Sequence, residues 1–406
     1  MGIEQFLQSG TESSEVLLKY EKMADKNWFI VNDLAGLQKL RCDWQQLFAS
    51  NPRHTPFQSW AWTTTWIKHL AGPHRLRIIG RRDHIGRLSY LLPLIGKDTD
   101  NGQESREYFI TCGYGPECSD HLGPLSVPDL DDRLADITAF ALDEFVGRDA
   151  RVALTSLDTL ANFPEELRVR IAGSGRPVRL TEFRRCPSTE LPRSWNEFLG
   201  GLSRNFRSQI ARYRRKLDQH HSAELRTVEP GNAHAFVKEL IRLNRSRIAD
   251  KGEQSSLTDP AFRAFMCEVV PSLVREELAW MDVITDKEKI VATALNLVHA
   301  DRIYYYLGGF ARSHAELRPG TVLFSEVIRR GISRQYTSYN FLRGKEPYKY
   351  RWGARELQTW RLDMYPRGLL RGTLASRKDD MLGKWRHSLS GLRRKMPGKC
   401  NGHNSS

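Results

Sequence analysis

The chain has no long apolar run: its hydrophobic residues nowhere extend to the roughly 20 that a membrane span needs. Its first residues, MGIEQFLQSGTESSEVLL, lack a basic start followed by an apolar core, so no signal peptide is expected. Met1-Gly2 leads into no acylation signal either, because Phe6 stands where Ser or Thr is wanted. Cysteine is scarce. Cys42, Cys112, Cys118, Cys186, Cys267 and Cys400 fall at no zinc-ligand spacing, which argues against a metal site and for reduced thiols in a cytoplasmic protein. Acid is short as well: 48 Asp+Glu face 62 Lys+Arg, for a net charge of +14. Such a field favours anionic partners (nucleotide-like cofactors, acidic glycans, anionic lipid or nucleic acid) without choosing among them. Ser156, Ser203 and Ser325 have no nucleophile-elbow surroundings, which argues against a covalent serine mechanism.

What is present is the composition of a soluble globular protein, 40% hydrophobic and 27% charged, with length enough for two domains. Asp301 to Gly353 is the most informative stretch. An aromatic run, Ile303 to Leu307, reads as a buried strand that breaks at Gly308-Gly309. Arg318-Pro319-Gly320-Thr321 then opens a helix with Leu323, Val327, Ile328 and Ile332 at helical spacing, and Tyr339 to Leu342 reads as another strand. Pro at a helix start loses no needed donor, Gly admits a close ligand, and the helix dipole favours an anion there. A phosphate fits this turn; so does a plain capped core helix.

After that strand comes a dense block, Phe341-Leu342-Arg343-Gly344, then Glu346, Tyr348-Lys349-Tyr350-Arg351-Trp352-Gly353. Strand, Arg-Pro-Gly-Thr loop, helix, strand and this block together resemble the cellulose-biosynthesis acetyltransferase family of the GNAT superfamily. Pro56-Phe57-Gln58-Ser59-Trp60 with Trp66 is similar to a segment near that family's N-terminus. Leu202-Ser203-Arg204-Asn205-Phe206-Arg207, followed by Arg212, Arg214 and Arg215, resembles its basic helix. The resemblance covers roughly residues 28 to 362 and implies an acyl-CoA co-substrate, acetyl-CoA first, with no metal.

The order of elements occurs twice. Strands at Leu278–Ile284, Ile290–His299 and Ile303–Leu307, a helix from Thr321 and a strand at Tyr339 follow helices at 233–249 and 260–277. The N-terminal half offers helices at 37–49 and 61–70, then strands at 76–81, 87–95 (interrupted by Pro93) and 108–112, a helix at 130–145 and a strand at 152–157. The expectation is an α/β (α+β) fold of tandem GNAT-like domains, each a mixed, mostly antiparallel sheet flanked by helices. The first spans 28–175 and the second 180–362, with a basic tail at 363–406. Pro128-Asp129-Leu130-Asp131-Asp132 puts acid where the first half would need to bind a pyrophosphate, so the cofactor belongs to the second half.

In a GNAT fold the thioester arm lies where two strands splay apart. The resemblance therefore implies cofactor contacts from Leu307, Gly308 and Gly309 and from Arg318, Pro319, Gly320 and Thr321. Glu346 is the first candidate for general base, since a carboxylate among aromatic rings can have its proton affinity raised by desolvation. Tyr348 and Tyr350 could supply a proton to the departing thiolate or orient the acceptor, and Lys349 and Arg351 could hold an acidic acceptor or the cofactor's phosphates. Asp120 and His121 could reach the acceptor from the first half, and His299 is an alternative base. A single helix from Trp195 to His220 carries an apolar stripe of Leu199, Leu202, Phe206, Ile210, Tyr213 and Leu217 with arginines on the remainder. The implied acceptor is a sugar or glycan of bacterial exopolysaccharide or cellulose production. Two rivals are a Fem-like aminoacyltransferase using aminoacyl-tRNA and a silent adaptor of a polysaccharide synthase. The segment Pro366 to Cys400, basic with scattered Leu and Trp385, fits either a peripheral contact with an anionic inner membrane or packing on the protein.

Overall fold

The computed structural model describes residues 27–367 apart from 73, 98–106, 116–117, 148, 159–161, 221, 251 and 253–254. Residues 1–26, Cys400 and most of the basic tail lie outside the described residues. Thirteen strands are described: β1 (Trp28–Val31), β2 (Arg75–Arg82), β3 (Leu88–Lys97), β4 (Tyr108–Thr111), β5 (Leu125–Ser126), β6 (Arg151–Leu157) and β7 (Val178–Glu190), then β8 (Ala223–Thr227), β9 (Ala279–Asp286), β10 (Lys289–His299), β11 (Arg302–Phe310), β12 (Ser338–Asn340) and β13 (Arg355–Met364). They form one sheet in the order β1-β2-β3-β4-β6-β13-β7-β12-β11-β10-β9-β8, with β5 paired to β3.

That order reads almost the same from either edge. Three antiparallel strands (β2, β3, β4 in one half; β9, β10, β11 in the other) lead through a helix to a strand laid parallel to the third. The parallel partners are β4 with β6, and β11 with β12. The chain thus adopts the expected tandem arrangement of mixed sheet flanked by helices. At the centre the halves interlock. β13, last of the described strands, pairs with β6 of the first half as well as with β7, while β7 pairs with β12 of the second.

Local chemistry explains most departures from the expected elements. β3 runs through Pro93 without interruption, opposite Ile78. On the other edge of β3, β5 partners Tyr90 and Leu91 and β4 starts at Leu94, so Pro93 falls in the gap, where a missing N–H breaks no pair. Trp195 to His220 is two helices, Trp195–Gly200 and Arg204–Asp218. Ser203 separates them by accepting the Phe206 N–H at 3.3 Å. β11 does not break at Gly308-Gly309 but continues to Phe310. A Cβ on Gly309 would collide with the backbone at Leu243 and Asn244 in the helix Ala233–Ala249, so Gly309 permits close helix-on-strand packing rather than a turn, while one on Gly308 would meet the Tyr305 hydroxyl and the Thr293 carbonyl.

The halves share one core. Trp62 from the first packs edge-on against Phe265 and Tyr306 from the second, 5.1 and 5.2 Å away. His54 is buried at the same junction. Its Nδ1 faces the Phe48 carbonyl at 2.9 Å, and its Nε2 accepts the Ser126 N–H at 3.1 Å. This arrangement holds a neutral ring, and burial lowers its pKa to about 4.

Candidate active site

Both halves contain a place where two parallel strands part after three paired residues, and their contents differ. In the first half β4 and β6 pair from Tyr108–Arg151 to Ile110–Ala153. Beyond that the gap is closed by the chain itself. Thr111 Oγ1 accepts the Thr155 N–H at 3.2 Å, Leu122 N–H donates to Ser156 O at 2.8 Å, and Leu122 bridges to Leu157 in parallel. The acidic turn is likewise occupied: Asp131 pairs with Arg53 at 2.9 Å and takes Asn51 Nδ2 at 3.2 Å.

In the second half β11 and β12 pair from Arg302–Ser338 to Tyr304–Asn340, and β11 then continues to Phe310 without β12. Two cavities flank this open stretch. A cavity of about 240 Å³ is lined by Arg318, Pro319, Gly320, Thr321 and Arg351, among others. A wider one of about 610 Å³ is lined by residues including Leu307, Asp120, Asn244, Glu346 and Lys349. Arg247, Tyr305, Gly308 and Tyr348 belong to the walls of both.

The smaller cavity ends at the start of the helix Pro319–Ser333. Arg318, its N-cap, is in the left-handed region (φ 51, ψ 49), offers no side-chain cap, and the first turn holds no acid. A Cβ built on Gly320 meets nothing within 4 Å. An uncapped positive helix end, an open glycine and the Arg318 and Arg351 guanidinium groups fit the phosphates of a nucleotide cofactor. Arg351 lies over the Phe206 ring at 4.2 Å and donates to Gln209 Oε1 at 2.5 Å, which steadies it on the helix Arg204–Asp218.

The residues of the dense block separate. Tyr348 is partly buried, its ring stacked on Phe324 with centroids 5.7 Å apart. Burial first, then the nearby Tyr305 and Glu346, raises its pKa well above the usual phenol range, so it is a neutral donor. Tyr305, beside Gly308, is also raised by burial. Tyr350 is brought to neither cavity; its hydroxyl donates to Glu356 at 2.8 Å on the surface. Lys349 is not free for substrate. Its side chain is 3% exposed, and Nζ donates to the carbonyls of Leu342, Arg343 and Gly344 and pairs with Glu346 Oε2 at 3.0 Å. Burial lowers its pKa, and Glu346 opposes the loss of charge. Glu346 is not desolvated as the sequence suggested. It is 54% exposed, on the wall of the wider cavity.

From the first half, Asp120 does reach the wider cavity and His121 does not. Asp120 is 1% exposed, and its Oδ2 accepts the Arg343 backbone N–H at 3.1 Å and Nε at 3.3 Å. It thereby fastens the loop that carries Glu346. Removing this carboxylate would break a largely buried ion pair and free the loop from two hydrogen bonds, so Asp120→Ala is expected to cost about 3 kcal/mol in urea unfolding. A loss below about 1 kcal/mol would show that water replaces the carboxylate. His121 lines a separate cavity of about 70 Å³. Burial disfavours its charge, yet Asp158 at 3.2 Å and Cys186 hold its pKa well above the ordinary value. Its Nε2 meets Asn340 at 3.1 Å, tying the first half to β12. His299 packs on Phe48 with centroids 4.3 Å apart and lines none of these three cavities.

Sequence reasoning passed over Tyr305, Asn244 and Arg247. Tyr305 was legible only as one ring in an aromatic strand, and the other two as ordinary members of a helix face.

Residues 204–350 match the model of the acetyltransferase (GNAT) domain, which spans both cavity-forming strands and the intervening helix. No curated protein matches the chain in sequence. Among solved structures it resembles FemX, at 11% identity and a TM-score of 0.56, covering 80% of this chain and 95% of that one. A protein of unknown function from Bacteroides thetaiotaomicron aligns at 12% identity and 0.53, over 83% and 100%. A domain assigned to a lysylphosphatidylglycerol synthetase of Agrobacterium fabrum aligns at 11% identity and 0.50, over 85% and 97%. No helix among the described residues is long and apolar enough to cross a membrane, and no cluster among them could hold a metal ion. The chain is an acyltransferase whose residues 204–350 match the acetyltransferase (GNAT) domain.

Proposed function

We propose that the chain transfers an acyl group from acyl-CoA, acetyl-CoA first, to an amine or hydroxyl held in the wider cavity. The observation that carries this reading is the meeting of the two cavities at Tyr305, Gly308 and Tyr348 beside an open strand edge. Bound there, acyl-CoA supplies an activated thioester carbonyl. Arg318, Pro319, Gly320 and Thr321 would hold the pyrophosphate and Arg351 a further phosphate. Backbone N–H groups from Leu307 to Phe310 would face the carbonyl oxygen. Glu346 takes the proton of the attacking amine or hydroxyl as the bond from its N or O to the acyl carbon forms. Tyr348 gives its proton to sulfur as the C–S bond breaks, and solvent restores both groups. The first half serves as scaffold and acceptor wall through Asp120.

Of the acceptors, a sugar or glycan of exopolysaccharide or cellulose production is supported by the family resemblance of the Arg318 loop and the block after it. The second reading, transfer from aminoacyl-tRNA, is supported by the overall likeness to FemX. Release of free thiol from acetyl-CoA on addition of amino-sugar and sugar acceptors, set against transfer from charged tRNA, separates them. Thiol release without any tRNA-dependent transfer supports the first reading; labelled amino acid transferred from tRNA with acetyl-CoA inert would reverse it.

A further inference from the structure

We propose that Arg247 receives an anionic oxygen group, carboxylate or phosphate, carried by the acceptor, so that the acceptor is an acidic molecule. This rests on the reading of the wider cavity as the acceptor site. Arg247 projects from the helix Ala233–Ala249 one turn after Asn244. Asn244 is fixed: its Nδ2 donates to Gly308 O at 2.9 Å and its Oδ1 accepts Ser255 Oγ at 2.8 Å. The platform under Arg247 is therefore rigid. Its guanidinium lies over the Phe310 ring at 5.6 Å, and its Nε is buried without a hydrogen-bond partner. A desolvated, unpartnered donor on a cation is costly unless a ligand completes it.

The charges around the wider cavity single Arg247 out. Arg343 is engaged by Asp120, and Lys349 by Glu346 and three carbonyls. The remaining carboxylate, Asp259, is exposed at the rim and caps the helix Pro260–Arg275 through the Ala261 N–H at 2.9 Å. Arg247 alone among the described cations of that wall has no described carboxylate within ion-pair distance. The cofactor side already has Arg318, Arg351 and a positive helix end, so Arg247 is left for the other reactant. A planar guanidinium matches the two oxygens of a carboxylate or phosphate.

The test is calorimetric titration of the CoA-saturated protein with matched probes: galacturonate against galactose, glucosamine 6-phosphate against glucosamine, and an L-amino acid against its amide. At least one acid is expected to bind about tenfold or more tightly than its neutral partner. Arg247→Gln should abolish that preference, Arg247→Lys should keep part of it, and CoA affinity should change by less than about threefold in both. Absence of any acid preference in the native protein overturns the proposal, as does a preference that survives Arg247→Gln. A loss of CoA affinity with the acid preference intact assigns Arg247 to the cofactor and overturns it too. If the native protein binds no CoA, the acyl-transfer reading fails separately. The same titrations on the free protein then still decide whether Arg247 binds an acid.

Discussion

Tyr348→Phe is expected to lower turnover on the order of a hundredfold while leaving acyl-CoA affinity within about twofold. The substitution removes one hydroxyl and keeps the ring that stacks on Phe324. Burial raises the phenol's pKa, so the proton is in place across the neutral and mildly alkaline range. The native rate should therefore not decline near pH 10, where an ordinary tyrosine ionises. Glu346→Gln is the companion variant. It should lower turnover to a similar degree, because the amide cannot take the acceptor's proton. Steady-state thiol release across pH reads both. If Tyr348→Phe retains full turnover, the departing thiolate takes its proton from water; if Glu346→Gln does, the acceptor arrives already deprotonated.

The second large effect concerns the helix start. Gly320→Asp is expected to weaken acyl-CoA binding at least about tenfold, or about 1.4 kcal/mol, with the fold intact. Space around Gly320 accommodates a side chain, so the loss would come from charge and from occupation of the anion's place rather than from misfolding. Asp131→Asn in the first half should leave that affinity unchanged, although it breaks the contact with Arg53. Equal losses in both variants would contradict the asymmetry between the halves.

Much of the fold was legible because it rests on local periodicity. The two series of helices and strands, and the acidic versus glycine-containing helix starts, are written in short stretches of chain. What sequence could not show is contact between distant segments. The capture of β13 between β6 and β7 depends on pairing across 212 positions, as in Arg151 with Asp363. Gly308-Gly309 look the same as a turn or as a strand under a helix, and only the backbone of Leu243 and Asn244 decides. Within the site, Lys349 had the right chemistry to hold an acidic acceptor and Tyr350 to supply a proton. The short turn Pro347–Tyr350 sends the first into its own loop and the second to the surface. Arg247 carried no signal at all, since Arg242, Arg245 and Arg247 are equivalent in sequence and only the last faces the cavities.

The most direct measurement is the stoichiometry of acetyl-CoA binding to the native chain by titration calorimetry. One half has its strand gap filled by Thr111 and the segment up to Leu122, and the other has an open gap leading to an uncapped helix. The predicted result is one equivalent per chain. Two equivalents, or none, would contradict the assignment of the cofactor to the second half alone.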